Sequence, residues 1–286
     1  MNADVPLAGP EAMKAQVAAG FAAAADGYDA DGTEFFRQVG IWLVEAAEVP
    51  AGAWVLDVGC AKGAVSLPAA HATGPHGHVT GIDLAAPMLR HAAERARHAG
   101  LTNVSFIEGD AEDPSWPTES FNVILAGNVL QFLPRPADAV WRWLSLLTPG
   151  GTLGLAWTVA QEPRWDPVIA AVDAYVPDGV PGFDAFMRRT PFHQIGAVEQ
   201  MLIGAGYREV TTVTHDITVT YQTPEQWWAA YQTQGPWAIS WRHIPADRLP
   251  DARRDACMLL ELIREPDGSV ARTLTFAFTI GQKRKR

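Results

Sequence analysis

Residues 54–83 constrain the fold more than any other stretch of this chain. They read WVLDVGCAKGAVSLPAAHATGPHGHVTGID, in which a short apolar run ends in an acidic residue and a turn of small residues. Helix-forming residues follow, and a second apolar run ends in another acid. A strand, a tight turn, a helix and a second strand form half of a nucleotide-binding α/β unit. The stretch therefore predicts a parallel sheet with a ligand site at the carboxyl ends of its strands.

The same alternation continues along the chain. Apolar strands are predicted at residues 54–58, 78–82, 103–107, 121–126 and 152–157, with helices between them. Continuous apolar strands are typical of a parallel sheet that is covered on both faces. Later β-branched runs at residues 209–221 and 272–280 predict two more strands, which could form an antiparallel edge. We therefore predict an α/β fold: a Rossmann-like, mostly parallel seven-stranded sheet with helices on both faces, an antiparallel edge strand and helical lid insertions.

The helical and irregular segments outside this alternation suggest covers for the sheet. We expect four parts: an N-terminal helical lid at residues 1–50, the ligand-binding core at 51–158, an insertion or lid at 159–193, and the completion of the sheet at 194–286. The last part includes a tryptophan-rich helical lid at residues 224–265.

Composition excludes several kinds of partner. The formal net charge is −10, and an acidic chain repels a phosphate backbone, so we expect no nucleic-acid partner. No apolar run is long enough to span a bilayer, and the N-terminus does not resemble a secretory signal. The two cysteines are far apart in sequence, which favours a reducing cytoplasm. His71, His76 and His78 surround a turn and do not suggest a metal site.

The turn after the first strand excludes one nucleotide motif and weakens another. A P-loop needs Ser or Thr directly after its lysine, whereas Gly63 and Ala64 follow Lys62. A dinucleotide fingerprint would require glycine at the positions of Ala61 and Ala64. The distinctive residue is Asp57, two positions before Gly59, which gives the pattern D-x-G-x-A-x-G.

Four ordered motifs resemble those of class I S-adenosylmethionine (SAM) dependent methyltransferases. VLDVGCAKG resembles the first motif, in which Ala61 replaces the usual middle glycine. VTGIDLAAPMLRHA resembles the second motif and contains Asp83, and IEGDAED resembles the third and contains Asp110. FNVILAGNVLQFLPRPADAVWRWLSLLTPGGTL resembles the fourth strand of the family, its following helix and its Pro-Gly-Gly turn.

The resemblance implies a set of SAM-binding residues. Asp83 would accept hydrogen bonds from the ribose hydroxyls, Asp110 would accept from the adenine amino group, and Asn128 would face the ammonium of the ligand. The full expected set is Tyr28, Asp57, Gly59, Cys60, Ala61, Gly63, Asp83, Leu84, Met88, Asp110, Ala111 and Asn128. Purely structural roles compete with these: Asp57 and Asp83 could cap helices, Tyr28 could pack, and Cys60 could fill space.

Methyl transfer from a sulfonium needs positioning and exclusion of water more than it needs a catalytic triad, and the sequence shows no triad. The expected catalytic residues are His193, as a base, and Gln131, as a neutral orienting group, while His215 and His243 are further candidate bases. Expected substrate-binding residues are Trp157, Trp227, Trp228 and Trp237, which suit an apolar or aromatic molecule. These tryptophans could equally pack the lid onto the sheet.

The later part of the chain resembles methyltransferases of the ubiquinone-biosynthesis-like group that modify specialised metabolites. The resemblance implies an enzyme of natural-product biosynthesis that transfers a methyl group from SAM to O, C or N of a small metabolite, with S-adenosylhomocysteine as product. We leave the formation of a homo-oligomer open. Two alternatives remain at this stage: a SAM-binding cyclase or pericyclase that does not methylate, and an NAD(P) oxidoreductase.

Overall fold

Strands of the chain join into one sheet, as seen in a computed structural model that describes residues 9–29, 35–178, 180, 194–235 and 237–285. In this part of the chain the sheet has seven strands in the order β3-β2-β1-β4-β5-β7-β6. The strands are β1 (Trp54–Val58), β2 (His78–Asp83), β3 (Val104–Glu108), β4 (Phe121–Gly127), β5 (Leu147–Gln161), β6 (Arg208–Tyr221) and β7 (Val270–Gln282).

The first strand lies at the point where the strand order reverses. β1 pairs in parallel with β2, where Trp54 lies opposite His78, and with β4, where Val55 lies opposite Val123. The chain then builds outward on both sides of β1. In open α/β sheets, ligands bind at the carboxyl ends of the strands at such a switch point. The loops after β1 and β4 are therefore the place to look for a site.

One strand runs against the others. The amide of Gly150 donates to the carbonyl of Lys283 (3.1 Å), and the amide of Glu162 donates to the carbonyl of Thr273 (3.1 Å). As the residue number rises along β5 it falls along β7, so this pair is antiparallel. β7 lies between β5 and the edge strand β6. The predicted fold class, a Rossmann-like, mostly parallel seven-stranded sheet with helices, is confirmed, but the antiparallel strand that was expected at the edge is β7, one position in from the edge.

Helices connect and cover the strands. They are α1 (Pro10–Ala24), α2 (Phe35–Ala46), α3 (Ser66–Thr73), α4 (Ala86–His98), α5 (Pro136–Leu146), α6 (Asp166–Asp173), α7 (Ile195–Ala205), α8 (Pro224–Tyr231), α9 (Trp237–Ser240) and α10 (Leu249–Glu261). None of the helices described is long and apolar enough to cross a membrane.

Local sequence explains where these helices begin and end. Pro87 stands in the first turn of α4, and the helix buries Met88, Ala92 and Ala96 at four-residue spacing. Thr223 caps α8, because its side chain accepts a hydrogen bond from the amide of Gln226 (3.1 Å). α4 and α8 thus each carry a start signal in their own sequence.

The contacts divide the chain into two compact units. The first, called the aromatic unit here, comprises Met1–Phe35, Ala160–Thr190 and Asp216–Thr275. Within it α6 and α8 pack on α10, and α1 packs on α9. Each of its helices is short, so tertiary packing holds them in place more than helix propensity does.

The second unit, called the sheet unit here, comprises Phe36–Val159, Pro191–His215 and Phe276–Arg286. Its core combines apolar strand residues with residues of α5 and α7, including Leu56, Ile124, Trp143 and Leu202, each 0% exposed. Tyr207 closes this core and donates its hydroxyl to the carbonyl of Val140 (3.1 Å). Burial of such side chains stabilises the unit by about 1.5–3 kcal/mol per large residue.

Candidate active site

The loop after β1 is built for a close approach of the backbone. Gly59 and Gly63 have positive φ angles of 66° and 82°. A Cβ atom on Gly59 would lie 1.9 Å from Cγ2 of Val129, in the loop after β4. Only glycine fits there, so the backbone of one loop packs directly against a side chain of the other. The amide of Cys60 also donates to the carbonyl of Ile82 (2.9 Å), which holds the loop against β2.

Asp83 ends β2 and joins two loops through its carboxylate. One oxygen accepts a hydrogen bond from the amide of Ala61 (2.9 Å) and the other accepts from the amide of Ala85 (2.8 Å). Burial raises the pKa of this carboxyl above its ordinary value, and the hydrogen bonds from Ala85 and Ala61 oppose that rise. A carboxylate has about four acceptor positions, and the amides of Ala85, Ala61 and Leu84 all donate to this one, so a position remains for a ligand hydroxyl.

Asp57 is a buried acid in β1, two residues before Gly59 of the loop. Ser66, the first residue of α3, donates its hydroxyl to one carboxylate oxygen at 2.5 Å. The other oxygen, Oδ1, is buried and has no hydrogen-bond partner in the described part of the chain. Burial raises the pKa of Asp57 to about 7, the bond from Ser66 opposes that rise, and the charge of Asp83 adds to it. Ser66 is a site residue that the sequence interpretation missed.

The loop after β4 contributes two more buried acceptors. Asn128 directly follows β4 with a φ of 57°, and its amide donates to the carbonyl of Ala156 (2.7 Å). Oδ1 of Asn128 and Oε1 of Gln131 are both buried without a hydrogen-bond donor among the described residues. Buried polar atoms normally have partners. Together with Oδ1 of Asp57, these are three buried acceptors without donors near the carboxyl ends of the adjacent strands β1 and β4.

The segment after β3 contains Asp110, the acid of the third motif. Asp110 accepts a hydrogen bond from the amide of Glu112 (2.8 Å) through its own side chain. The carbonyl of Ala111 accepts from the indole of Trp143 (2.7 Å), which anchors the segment on α5. Glu112 is itself buried and accepts from the backbone amide of Arg135. The sequence interpretation missed Glu112, although an acid in the same IEGDAED motif was a visible signal.

The two expected apolar contacts differ in accessibility. Leu84 is half-buried, whereas Met88 is 0% exposed and packs in the core. Cys60 is also buried, and burial raises the pKa of its thiol well above the ordinary value. A buried, protonated thiol is a poor nucleophile, so the chemistry of this loop is that of hydrogen bonds and not of sulfur.

The remaining predicted residues belong partly to the aromatic unit and partly to the sheet unit. Tyr28 belongs to the aromatic unit, where its ring packs edge-to-face on Phe21 with centroids 5.9 Å apart. Trp157 is 1% exposed in the core of the sheet unit. The other three predicted substrate contacts are buried in the aromatic unit: Trp227, Trp228 and Trp237. They form one cluster with Tyr231 and Trp241.

The structure describes two of the three candidate bases, His215 and His243. His193 lies outside the described residues. The ring of His215 lies 5.0 Å from that of Trp42 and 5.5 Å from that of Phe278, which is a packing arrangement. His243 is exposed. Among the described residues, no group of three or more His, Cys, Asp or Glu side chains is arranged to hold a metal ion.

The fold and the loop geometry define a Rossmann-like ligand-binding sheet of the methyltransferase type. Comparison with known proteins agrees: a methyltransferase domain model matches residues 51–175. The nocamycin O-methyltransferase of Saccharothrix syringae is 34% identical over 272 residues, which cover 90% of this chain and 95% of that enzyme. The chain belongs to the SAM-dependent methyltransferase family.

One further relative is similar to the chain in sequence, and one solved structure shares its fold. The aklanonic acid methyltransferase DauC of Streptomyces sp. (strain C5) is 39% identical over 140 residues, which cover 49% of this chain and 64% of that protein. The crystal structure of the YcgJ protein of Bacillus subtilis shares the fold, with a TM-score of 0.57 at 18% identity, and covers 87% of this chain and 99% of that chain. Membership of the family decides against the nicotinamide oxidoreductase alternative.

Proposed function

We propose that the protein methylates an oxygen atom of a small, apolar or aromatic specialised metabolite. The observation that carries the proposal is the set of three unmet acceptors on Asp57, Asn128 and Gln131, beside a carboxylate on Asp83 that has an acceptor position left over. SAM supplies the matching donors, an ammonium group and ribose hydroxyls, and when bound it supplies an electrophilic methyl group. The names of the two relatives, an O-methyltransferase and a methyltransferase of an acid, favour oxygen over carbon or nitrogen.

The residues of the sheet unit have separable parts in this proposal. Asp83 binds the ribose, and Asp110 with the amide of Ala111 binds the adenine. Oδ1 of Asp57 and Oδ1 of Asn128 accept hydrogen bonds from the amino-acid end of the ligand, which replaces the donors they lack in the protein. Gly59, Cys60, Ala61 and Gly63 keep the loop backbone close to the ligand, and Leu84 contacts the base. In the same proposal the contact expected from Met88 requires its side chain to move out of the core.

The proposed chemistry asks little of a base. An acceptor that is already anionic at neutral pH loses no proton, and an alcohol or phenol would release one. Gln131 is proposed to orient the acceptor through its free carbonyl oxygen, and His193 stays a predicted base. The two isolated cysteines are consistent with a reducing cytoplasm as the place where the enzyme works.

Replacement of Asp83 tests the cofactor site. Asp83→Ala removes a charged acceptor, and one or two charge-assisted hydrogen bonds contribute about 1.5–3 kcal/mol each, so SAM affinity falls by at least about tenfold. Isothermal titration calorimetry with SAM and with S-adenosylhomocysteine measures the change. Asp113→Ala is the matched control, because Asp113 lies in the segment after β3, the strand next to β2, and its side chain is 79% exposed.

Two results would contradict the proposal. The first is equal SAM affinity in Asp83→Ala and in the wild type, with both variants folded by circular dichroism. The second is SAM binding with no S-adenosylhomocysteine formed when the enzyme is incubated with a metabolite extract and methyl-labelled SAM. That second result would favour the non-methylating cyclase reading.

A further inference from the structure

Arg272, on β7, is a buried cation. Its residue is 2% exposed, and burial lowers the pKa of the guanidinium to about 10, so the side chain stays charged at neutral pH. In the described part of the chain, no carboxylate forms an ion pair with Arg272. The guanidinium donates a hydrogen bond to the amide oxygen of Gln161, and the amide nitrogen of Gln161 donates to Asp166 (2.7 Å). Buried charges are normally paired directly, whereas this cation lacks a close counter-ion.

Aromatic rings surround the guanidinium. Its central carbon lies 5.6 Å from the ring centroid of Trp165, 5.0 Å from that of Tyr231 and 5.4 Å from that of Trp237. Ring faces attract a cation, but they offer no lone pair to its N–H groups. The rings therefore hold the guanidinium in position, and its Nε stays without an acceptor among the described residues.

Two buried donors at this place have no acceptor within the described residues. One is Nε of Arg272 and the other is the indole Nε1 of Trp227. The centroid of the Trp227 ring lies 5.7 Å from that of Trp165 and 4.7 Å from that of Tyr231, which are two of the three rings that contact Arg272. A buried donor without an acceptor costs about 1–3 kcal/mol, so two neighbouring ones beside a charge are an expensive arrangement for packing alone.

The chemistry that satisfies this arrangement is a planar anion with two acceptor oxygens attached to an apolar body. A guanidinium binds a carboxylate through parallel hydrogen bonds, an indole N–H adds a third, and aromatic rings pack against the carbon skeleton. We propose that Arg272 and Trp227 recognise the carboxylate of an apolar or aromatic acid, at a ligand site within the aromatic unit. The proposal goes beyond the proposed methyltransferase function and can be tested separately from it.

A matched pair of probes tests the proposal on the full-length protein with saturating S-adenosylhomocysteine. Calorimetry compares 2-naphthoate with 2-naphthamide, which has nearly the same shape and no charge. We expect the wild type to prefer the acid by at least about tenfold, because a hydrogen bond to a charged group contributes about 1.5–3 kcal/mol. Arg272→Met abolishes the preference, and Trp227→Phe, which keeps a ring and removes the N–H, reduces it.

Arg264→Met is the control, since it removes the same charge from a side chain that is 35% exposed, and it keeps the preference. Thermal unfolding provides a second measurement. If the cation serves a ligand, Arg272→Met leaves the melting temperature unchanged or raises it, because an unpaired buried charge is removed. A lower melting temperature together with an unchanged preference would assign Arg272 to packing and overturn the proposal.

A wild type that does not prefer 2-naphthoate, whether it binds both probes equally or neither, also overturns it. Failure of S-adenosylhomocysteine to bind in the first titration would instead contradict the proposed function. The two failures are therefore distinguishable.

Discussion

At the scale of single residues, Ala61 shows what the departure from the family motif means. The motif normally has glycine at this position, and the structure gives Ala61 a positive φ of 43°. An L-residue with a side chain is strained there by about 1–2 kcal/mol. Its amide nevertheless donates to Asp83, so the loop keeps the conformation that glycine would adopt.

Ala61→Gly should therefore stabilise the protein. Relief of strain outweighs the extra freedom that glycine gives the unfolded chain, about 0.5–1 kcal/mol, so we expect a net gain of up to about 1 kcal/mol in the free energy of unfolding. Urea denaturation measures it. Ala64→Gly, in the same loop but without a positive φ, is the control and should lose stability. A loss in both variants would show that Ala61 is not strained.

Asp57 predicts how stability depends on pH. Its pKa is about 7 in the folded protein and close to 3.8 in the unfolded chain, so the folded state binds more protons between these values. The stability contributed by the protonated acid is fully present below pH 3.8 and is lost as the pH rises through about 7.

Denaturation of the ligand-free protein across this range provides the measurement. Asp57→Asn should flatten the fall in stability between about pH 5 and pH 7.5, because the amide does not titrate. Ser66→Ala should move the midpoint of the fall upward, since the hydroxyl of Ser66 opposes the rise in the pKa of Asp57. An identical pH profile in the wild type and Asp57→Asn would contradict the raised pKa.

At the scale of elements, the bounds of β1 to β4 were predicted closely and those of β5 were not. The sequence indicates a turn at Pro149-Gly150-Gly151 and a strand from residue 152, whereas β5 begins at Leu147 and continues to Gln161. The pairing register with β4 shifts between Phe121 and Val123, which absorbs the extra residues as an irregularity in the strand. The residues Pro-Gly-Gly are compatible with a turn and with an irregular strand. Pairing with the neighbouring strands decides between the two, and the local sequence does not show that pairing.

Two helices of the sheet unit offer a matched pair of glycines. A Cβ atom on Gly40, in α2, would lie 2.0 Å from the carbonyl oxygen of Ala64, whereas one on Gly204, in α7, would meet nothing within 4 Å. The first contact is with backbone that cannot move away easily. α2 therefore packs directly against the loop that follows β1.

The substitution Gly→Ala should act oppositely at these positions. Gly40→Ala costs about 2–3 kcal/mol through overpacking, and Gly204→Ala gains about 0.5 kcal/mol through helix propensity. Chemical denaturation compares the two variants. Equal effects in both would mean that α2 does not contact the loop as described.

At the scale of the whole molecule, the sequence predicts the sheet unit far better than the aromatic unit. Strand, turn and acid recur locally in residues 54–83, so both the sheet and the positions of Asp57 and Asp83 could be inferred from neighbouring residues. The aromatic unit is assembled from Met1–Phe35, Ala160–Thr190 and Asp216–Thr275. Contacts between such distant segments leave no periodic signal in the sequence.

Arg272 illustrates this limit. It stands in RTLTFAFTI, where a strand pattern gives no reason to expect a buried cation among aromatic rings. The tryptophan-rich run at residues 224–241 was visible, but its partners Trp165 and Arg272 come from elsewhere in the chain. The acceptors left without donors at Asn128 and Gln131 are likewise a property of burial, which the sequence does not encode locally.

The aromatic cluster also has an optical consequence. Trp228 and Trp241 lie nearly parallel, with planes 21° apart and centroids separated by 5.7 Å, and Trp227 crosses Trp241 at 69°. Fixed, asymmetric packing of rings gives rise to circular dichroism in the near ultraviolet, and that signal disappears when packing loosens while secondary structure remains. The aromatic unit thus contains its own chromophore, through which the order of its interior can be followed without any added label.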